Sequence, residues 1–146
     1  MSFPGNCIAA EPGRRLGAAA DEASARPPLI LLVEHDTRTR RFIATVLKYS
    51  TEATVIEASP PRDALLQART LARPVDLLIL DVEASGIAQA RELAAASPGM
   101  GVLLVSGRER PPCPIPSAWR FLSIPFPTAA FLDCVFSLCR AAPPAA

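Results

Sequence analysis

Five short apolar runs, separated by stretches long enough for a helix, constrain this chain more than any other feature. Leu29-Ile30-Leu31-Leu32-Val33 and Val75-Asp76-Leu77-Leu78-Ile79-Leu80 are nearly unbroken, which is the pattern of strands buried on both faces. Thr54-Val55-Ile56, Val102-Leu103-Leu104-Val105 and the segment from Trp119 to Ser123 complete the set. Strands that alternate with helix-length connections pair in parallel through right-handed crossovers. The expected fold class is therefore α/β, a doubly wound five-stranded parallel sheet with helices on both faces.

The connections carry helix signals of different strength. Asp36 can cap a helix that ends near Tyr49, with Phe42, Ile43, Val46 and Leu47 on one side and Arg38, Arg40 and Arg41 on the other. Ser59 followed by Pro60 supplies a cap and a first-turn proline for a helix carrying Leu65, Leu66 and Leu71. Ala88 to Ala96 reads as the third helix. Thr128 opens the last, whose Phe131, Leu132, Val135, Phe136 and Cys139 are expected to face inward. Between the fourth and fifth strands the run Arg110-Pro111-Pro112-Cys113-Pro114-Ile115-Pro116 cannot sustain a helical hydrogen-bond ladder, so the fourth helix is expected to be shortened or lost.

A length of 146 residues suits one hydrophobic core. Residues 1–28 are poor in large apolar side chains and read as a flexible arm, residues 29–140 as the domain, and residues 141–146 as a loose tail. A net charge of +1 gives no strong field for nucleic acid or an anionic membrane. Cys7, Cys113, Cys134 and Cys139 form no CxxC or Cys/His pairing, so they are expected to be reduced, packed thiols rather than zinc ligands or disulfides. No apolar run approaches the roughly 20 residues that span a bilayer, and a cytoplasmic location is expected.

In open parallel sheets, ligands bind outside the carboxyl ends of the strands near the switch point. Polar groups gather there: Glu34, His35 and Asp36 after the first strand, Asp81 after the third, Ser106 after the fourth. Three of them also have a plainly structural use, since Asp36 can cap a helix, Asp81 can cap or stabilise a loop, and Ser106 can start a turn. His35 with Glu34 and Asp81 could take a transition metal, although a single histidine at a strand end more often serves as a hydrogen-bonded structural group.

The motifs Leu-Leu-Val-Glu-His-Asp at the first strand, Leu-Leu-Ile-Leu-Asp81 at the third, Val105-Ser106-Gly107 at the fourth and Phe121-Leu122-Ser123-Ile124-Pro125-Phe126 at the fifth occur in the order of a known family. Over about Leu29 to Arg140 the chain resembles the CheY-like receiver domain of two-component response regulators, a flavodoxin-like fold. The resemblance implies that Asp81 accepts a phosphoryl group from a histidine kinase or phosphotransfer protein with the help of Mg²⁺. It implies that the Ser106 hydroxyl contacts the phosphoryl group, that Phe121 is the switch aromatic that turns inward, and that Ile124-Pro125 is cis. Glu34, Asp81 and the backbone carbonyl of Glu83 would then hold the metal.

Two parts of that pattern are replaced. His35 stands where a second carboxylate would meet the metal, and imidazole is a poor Mg²⁺ ligand, so binding is expected to be weak or absent. Ile124 stands where a lysine would pair with the phosphoryl group. The segment Val82-Glu83-Ala84-Ser85-Gly86 also lacks the family's Met-Pro pair and later glycine.

The expectation is a single-domain receiver in a phosphorelay, degenerate at the metal and lysine positions, monomeric, and with no enzymatic turnover of its own. The alternative is a pseudo-receiver that binds partners without phosphorylation. A flavin- or nucleotide-binding domain of the same topology ranks last, because no glycine-rich phosphate loop follows the first strand.

Overall fold

The strands form one parallel sheet in the order β2-β1-β3-β4-β5. They are β1 (Leu29–Val33), β2 (Thr54–Glu57), β3 (Leu77–Asp81), β4 (Gly101–Ser106) and β5 (Arg120–Ser123). Four helices connect or follow them: α1 (Thr37–Ser50), α2 (Ala64–Arg69), α3 (Val82–Ala96) and α4 (Thr128–Ala141). This is a computed structural model, and it describes residues 26–58 and 63–141. The expected arm through residue 25 with Cys7, the Ser59-Pro60 cap and the tail beyond Ala141 lie outside the described residues.

The order explains the composition of the strands. β1, β3 and β4 are flanked by strands on both edges and covered on both faces, so all five residues of β1 and of β3 are buried. Their side chains alternate between two cores. Ile30, Leu32, Leu77, Ile79, Leu103 and Val105 meet Ile43 and Leu47 of α1 and Phe131, Val135 and Leu138 of α4. Leu31, Val33, Leu78, Leu80, Val102 and Leu104 meet α2 and α3 on the other face. The edge strands β2 and β5 are only partly buried.

Several local expectations are refined. β3 starts at Leu77 rather than Val75, and β5 at Arg120 rather than Trp119. α2 ends at Arg69, so Leu71 packs from beyond it, while Leu66 is exposed. In α4, Leu138 is more buried than Leu132, Phe136 or Cys139. Phe42 is exposed on α1, its ring centroid 6.1 Å from that of Phe126.

The third helix departs furthest from expectation, starting at Val82 instead of Ala88. Asp81 accepts a hydrogen bond from the Glu83 N–H and caps a first turn, which Gly86 (φ 77°) then breaks. A side chain is strained at such a φ, so glycine is what allows the chain to leave one helical turn and enter another.

No helix lies between β4 and β5 among the described residues. Instead Ile115 and Trp119 of the proline-rich segment lie against the core beside α3. Arg91 of α3 fastens that segment by donating to the Pro114 carbonyl (3.1 Å) and lying 5.8 Å from the centre of the Trp119 ring. The Ile124-Pro125 bond is cis, as the resemblance implies.

Candidate functional site at the carboxyl edge of the sheet

Leaving β1, the chain runs outward to β2, then returns across β1 to reach β3 on its other side. The connections from β1 and β3 therefore diverge at the carboxyl ends of the two strands, the switch point at which sheets of this kind bind ligands. Register places Val33 beside Leu80, so Glu34 and Asp81 emerge next to each other. Asp81 also pairs with Val105, which sets Ser106 on the same rim. Glu34, Asp81 and Ser106 are buried polar residues, with relative exposures of 2%, 3% and 0%.

Glu34, His35 and Asp81 converge, each offering one ligand atom within 4.8 Å of the others. His35 Nδ1 lies 2.5 Å from Asp81 Oδ2 and 3.6 Å from Glu34 Oε2. The Glu34 carboxylate also accepts from the Asp36 N–H at 3.1 Å, while its Oε1 is buried without a hydrogen-bond partner. Burial and the adjacent Asp81 carboxylate push the Glu34 carboxyl up from 4.5 to about 8. Arg40 steadies the corner from behind by donating to the Glu34 carbonyl (3.1 Å) and pairing with Glu57 (3.0 Å).

Asp36 turns away from this corner. Its carboxylate caps α1, accepting from the Thr39 N–H and hydroxyl at 2.8 Å each, and those bonds hold it below its usual range. Asp81 likewise serves as the cap of α3, with Oδ1 accepting from the Glu83 N–H at 3.0 Å. The structural uses of both residues are thus real, but in Asp81 the cap occupies one oxygen and leaves the other in the corner.

The Ser106 hydroxyl donates to Glu83 Oε2 at 2.8 Å, and the Gly107 N–H donates to Glu83 Oε1 at 3.3 Å. Burial works to raise the Glu83 carboxyl, but the hydrogen bonds from Ser106 and Gly107 prevail and hold it below the ordinary range. Arg108 Nε lies 3.4 Å from the same carboxylate. Sequence reasoning considered Glu83 for its backbone and passed over Arg108 altogether. The signal for Glu83 was the helical offset: with Asp81 capping α3, residue 83 falls in the first turn, facing the end of β4.

Phe121 is half-buried at the end of the sheet, packed against the α2/α3 core beside Leu104. Ile124 is packed into the opposite core and accordingly brings no cation to the rim.

No protein-family model matches the sequence, and no curated protein matches it. Solved structures do. A response regulator receiver protein from Sinorhizobium medicae WSM419 is similar with a TM-score of 0.69 at 19% identity, over 81% of this chain and 98% of that one. The chain has the receiver fold of response regulators. The receiver domain of the hybrid histidine kinase CckA is similar at 25% identity and a TM-score of 0.63, over 76% and 98% of the two chains. A signal receiver domain of an HD domain-containing protein from Pseudomonas fluorescens Pf-5 is similar at 20% identity and a TM-score of 0.68, over 79% and 96%.

Against that fold, the corner is unusual in its donors. Mg²⁺ takes oxygen ligands in near-ideal octahedral geometry and gives up water reluctantly. The receiver corner here offers two carboxylates and an imidazole nitrogen. That nitrogen does not fit Mg²⁺.

Proposed function

We propose that this receiver is a phosphorelay module in which Asp81 accepts a phosphoryl group, inefficiently, from a histidine kinase or phosphotransfer protein. The observation that carries the reading is Asp81 itself: a buried carboxylate at the β3 terminus, with one oxygen in the corner shared with Glu34 and His35 and with Ser106 on the same rim of the sheet. A carboxylate is a competent nucleophile toward phosphorus. Its oxygen forms the new O–P bond as the P–N bond of a donor phosphohistidine breaks, and the released imidazole takes up a proton.

Three features make this transfer poor. A phosphoryl group adds about −1.5 to −2 charges beside the ionised Glu83, and beside Glu34 once that carboxyl ionises above about 8. Like charges about 4 Å apart repel by roughly 4 kcal/mol at an effective dielectric near 20. Ile124 supplies no positive charge to offset that repulsion, and the Ser106 hydroxyl is already given to Glu83. The cation beside Glu83, Arg108, is likewise engaged with that carboxylate. A monomeric, cytoplasmic protein belongs to the same reading; no described helix is long and apolar enough to cross a membrane.

The Ser106–Glu83 bond also supports a second reading. A carboxylate already sits on the hydroxyl that a phosphoryl oxygen would need, so the domain would work as a pseudo-receiver, binding its partner whether or not phosphate is present.

Intact-mass analysis after incubation with acetyl phosphate, with Mg²⁺ and then Mn²⁺, separates the two. A phosphoryl adduct on the wild type and none on Asp81→Asn is the expected result. No adduct on either protein with either ion refutes phosphoryl acceptance and leaves the pseudo-receiver.

A further inference from the structure

The donor set that fails to suit Mg²⁺ suits another class of ion. We propose that Glu34, His35 and Asp81 form a binding site for a borderline divalent transition ion, Zn²⁺ in the first place, in preference to Mg²⁺. Imidazole nitrogen together with carboxylate oxygen is a donor set for Zn²⁺, Ni²⁺ and Co²⁺, and at such sites affinity rises along the first transition row well above that of Mg²⁺. The proposal goes beyond phosphoryl chemistry and holds whether or not Asp81 is ever phosphorylated.

The geometry carries the argument. Glu34 and His35 follow β1 directly and Asp81 ends the neighbouring β3, so two hydrogen-bonded strands fix the spacing of the three donors. Two residues hold them in place from outside the cluster. The Asp36 N–H orients the Glu34 carboxylate, and the Glu83 N–H takes Asp81 Oδ1, leaving Oδ2 toward His35. Such supporting bonds are what aim ligands at a metal.

An independent observation asks for a cation at this point. Glu34 is 2% exposed, and its Oε1 has no hydrogen-bond partner. A buried oxygen without a donor is costly, and more so in a carboxyl group beside a second carboxylate. The nearby guanidinium groups are engaged elsewhere: Arg40 with the Glu34 carbonyl and Glu57, Arg108 with Glu83. A bound ion held through the Glu34 carboxylate would offset its buried charge and separate the two carboxylates.

Entry of the ion needs one movement. Ligand atoms around a tetrahedral Zn²⁺ at about 2.0–2.1 Å lie about 3.3 Å apart. His35 Nδ1 is 2.5 Å from Asp81 Oδ2, so the imidazole must draw back. Its side chain is 57% exposed and has room to do so, whereas both carboxylates are fixed by burial. Water completes the coordination on the open side.

His35 is the only histidine in the chain, which makes the test specific. Zn²⁺ binding is measured by calorimetry on the full chain with no phosphodonor present, then repeated in a large excess of Mg²⁺. The coordination is read from the visible spectrum of the Co²⁺ form and from the His35 ring resonances. Wild type should bind Zn²⁺ undisturbed by Mg²⁺, with His35 resonances shifted and no thiolate-to-cobalt band. His35→Ala should weaken binding by at least about 10–100-fold, the range seen when only a supporting residue is lost. His35→Asp should lose Zn²⁺ preference and gain Mg²⁺ binding. Equal Zn²⁺ affinity in wild type and His35→Ala, a thiolate band, or displacement by comparable Mg²⁺ overturns the proposal. Because no phosphodonor is used, a negative result here leaves the question of Asp81 phosphorylation untouched.

Discussion

Replacing Glu34 by Gln tests the electrostatics of the corner at its most buried charge. In the folded chain the Glu34 carboxyl is pushed up to about 8, by burial first and by Asp81 second. In the unfolded chain it titrates near 4.5. Below 4.5 both states hold the proton, and Glu34 costs the fold nothing. Between 4.5 and about 8 the folded state retains a proton that the unfolded state has released, so stability must fall as pH rises. One proton corresponds to about 1.4 kcal/mol per pH unit, which gives a ceiling of about 5 kcal/mol across the interval. Local relaxation and water penetration around the buried carboxyl lower this, leaving a penalty of a few kcal/mol at pH 8.5. Gln keeps the shape, stays neutral and can donate its amide to Asp81. Urea denaturation in the presence of a chelator should therefore show Glu34→Gln near wild type at pH 4.5 and more stable by roughly 2 kcal/mol or more at pH 8.5. A stability difference that stays constant between those pH values refutes the assignment of a raised carboxyl at this position.

The remaining predictions concern the phosphoryl contact and the two cores. Glu83→Ala should raise the yield of the acetyl-phosphate adduct on Asp81 over wild type, because it frees the Ser106 hydroxyl and removes a like charge; intact-mass analysis under matched conditions reads the ratio. Gly101→Ala should destabilise by about 1–2 kcal/mol in urea denaturation. The added Cβ would lie 3.1 Å from Leu138 Cβ and 3.2 Å from the Leu138 carbonyl oxygen, and that overpacking outweighs the roughly 0.4–1 kcal/mol gained from a stiffer unfolded chain. Phe131→Ala should cost about 3–5 kcal/mol by the same measurement, since the ring is fully buried and stacks at 5.2 Å on Phe126.

The sheet was legible because its physics is repetitive. A strand flanked on both edges and covered on both faces has no polar side to show, so Leu29 to Val33 and Leu77 to Leu80 announce themselves as apolar runs. The crossover rule then places their carboxyl ends together without reference to any particular side chain. β5, whose start was also misplaced, is an edge strand in which Arg120 is exposed, and edge positions do not require apolar residues. The proline-rich segment was legible for the opposite reason, since missing N–H groups exclude a helix whatever the tertiary context.

The chemistry of the rim was less legible, because it depends on where one helix begins. Periodicity marks the apolar face of α3 at Ile87, Ala90 and Leu93, but it carries no mark of the turn before Gly86. That turn forms because Asp81 caps it, and so the residue proposed as phosphoryl acceptor also decides the position of Glu83. Had the chain run extended from Asp81, the Glu83 carboxylate would have no fixed relation to β4. With the cap in place it lies on Ser106, Gly107 and Arg108. Chemistry at Asp81 and occupancy of Ser106 are thereby coupled. A modification or ion that draws Asp81 Oδ1 away from the Glu83 N–H weakens the first turn of α3 and loosens the carboxylate from Ser106. Under the proposed function, that would carry events in the Glu34–His35–Asp81 corner to the β4 edge.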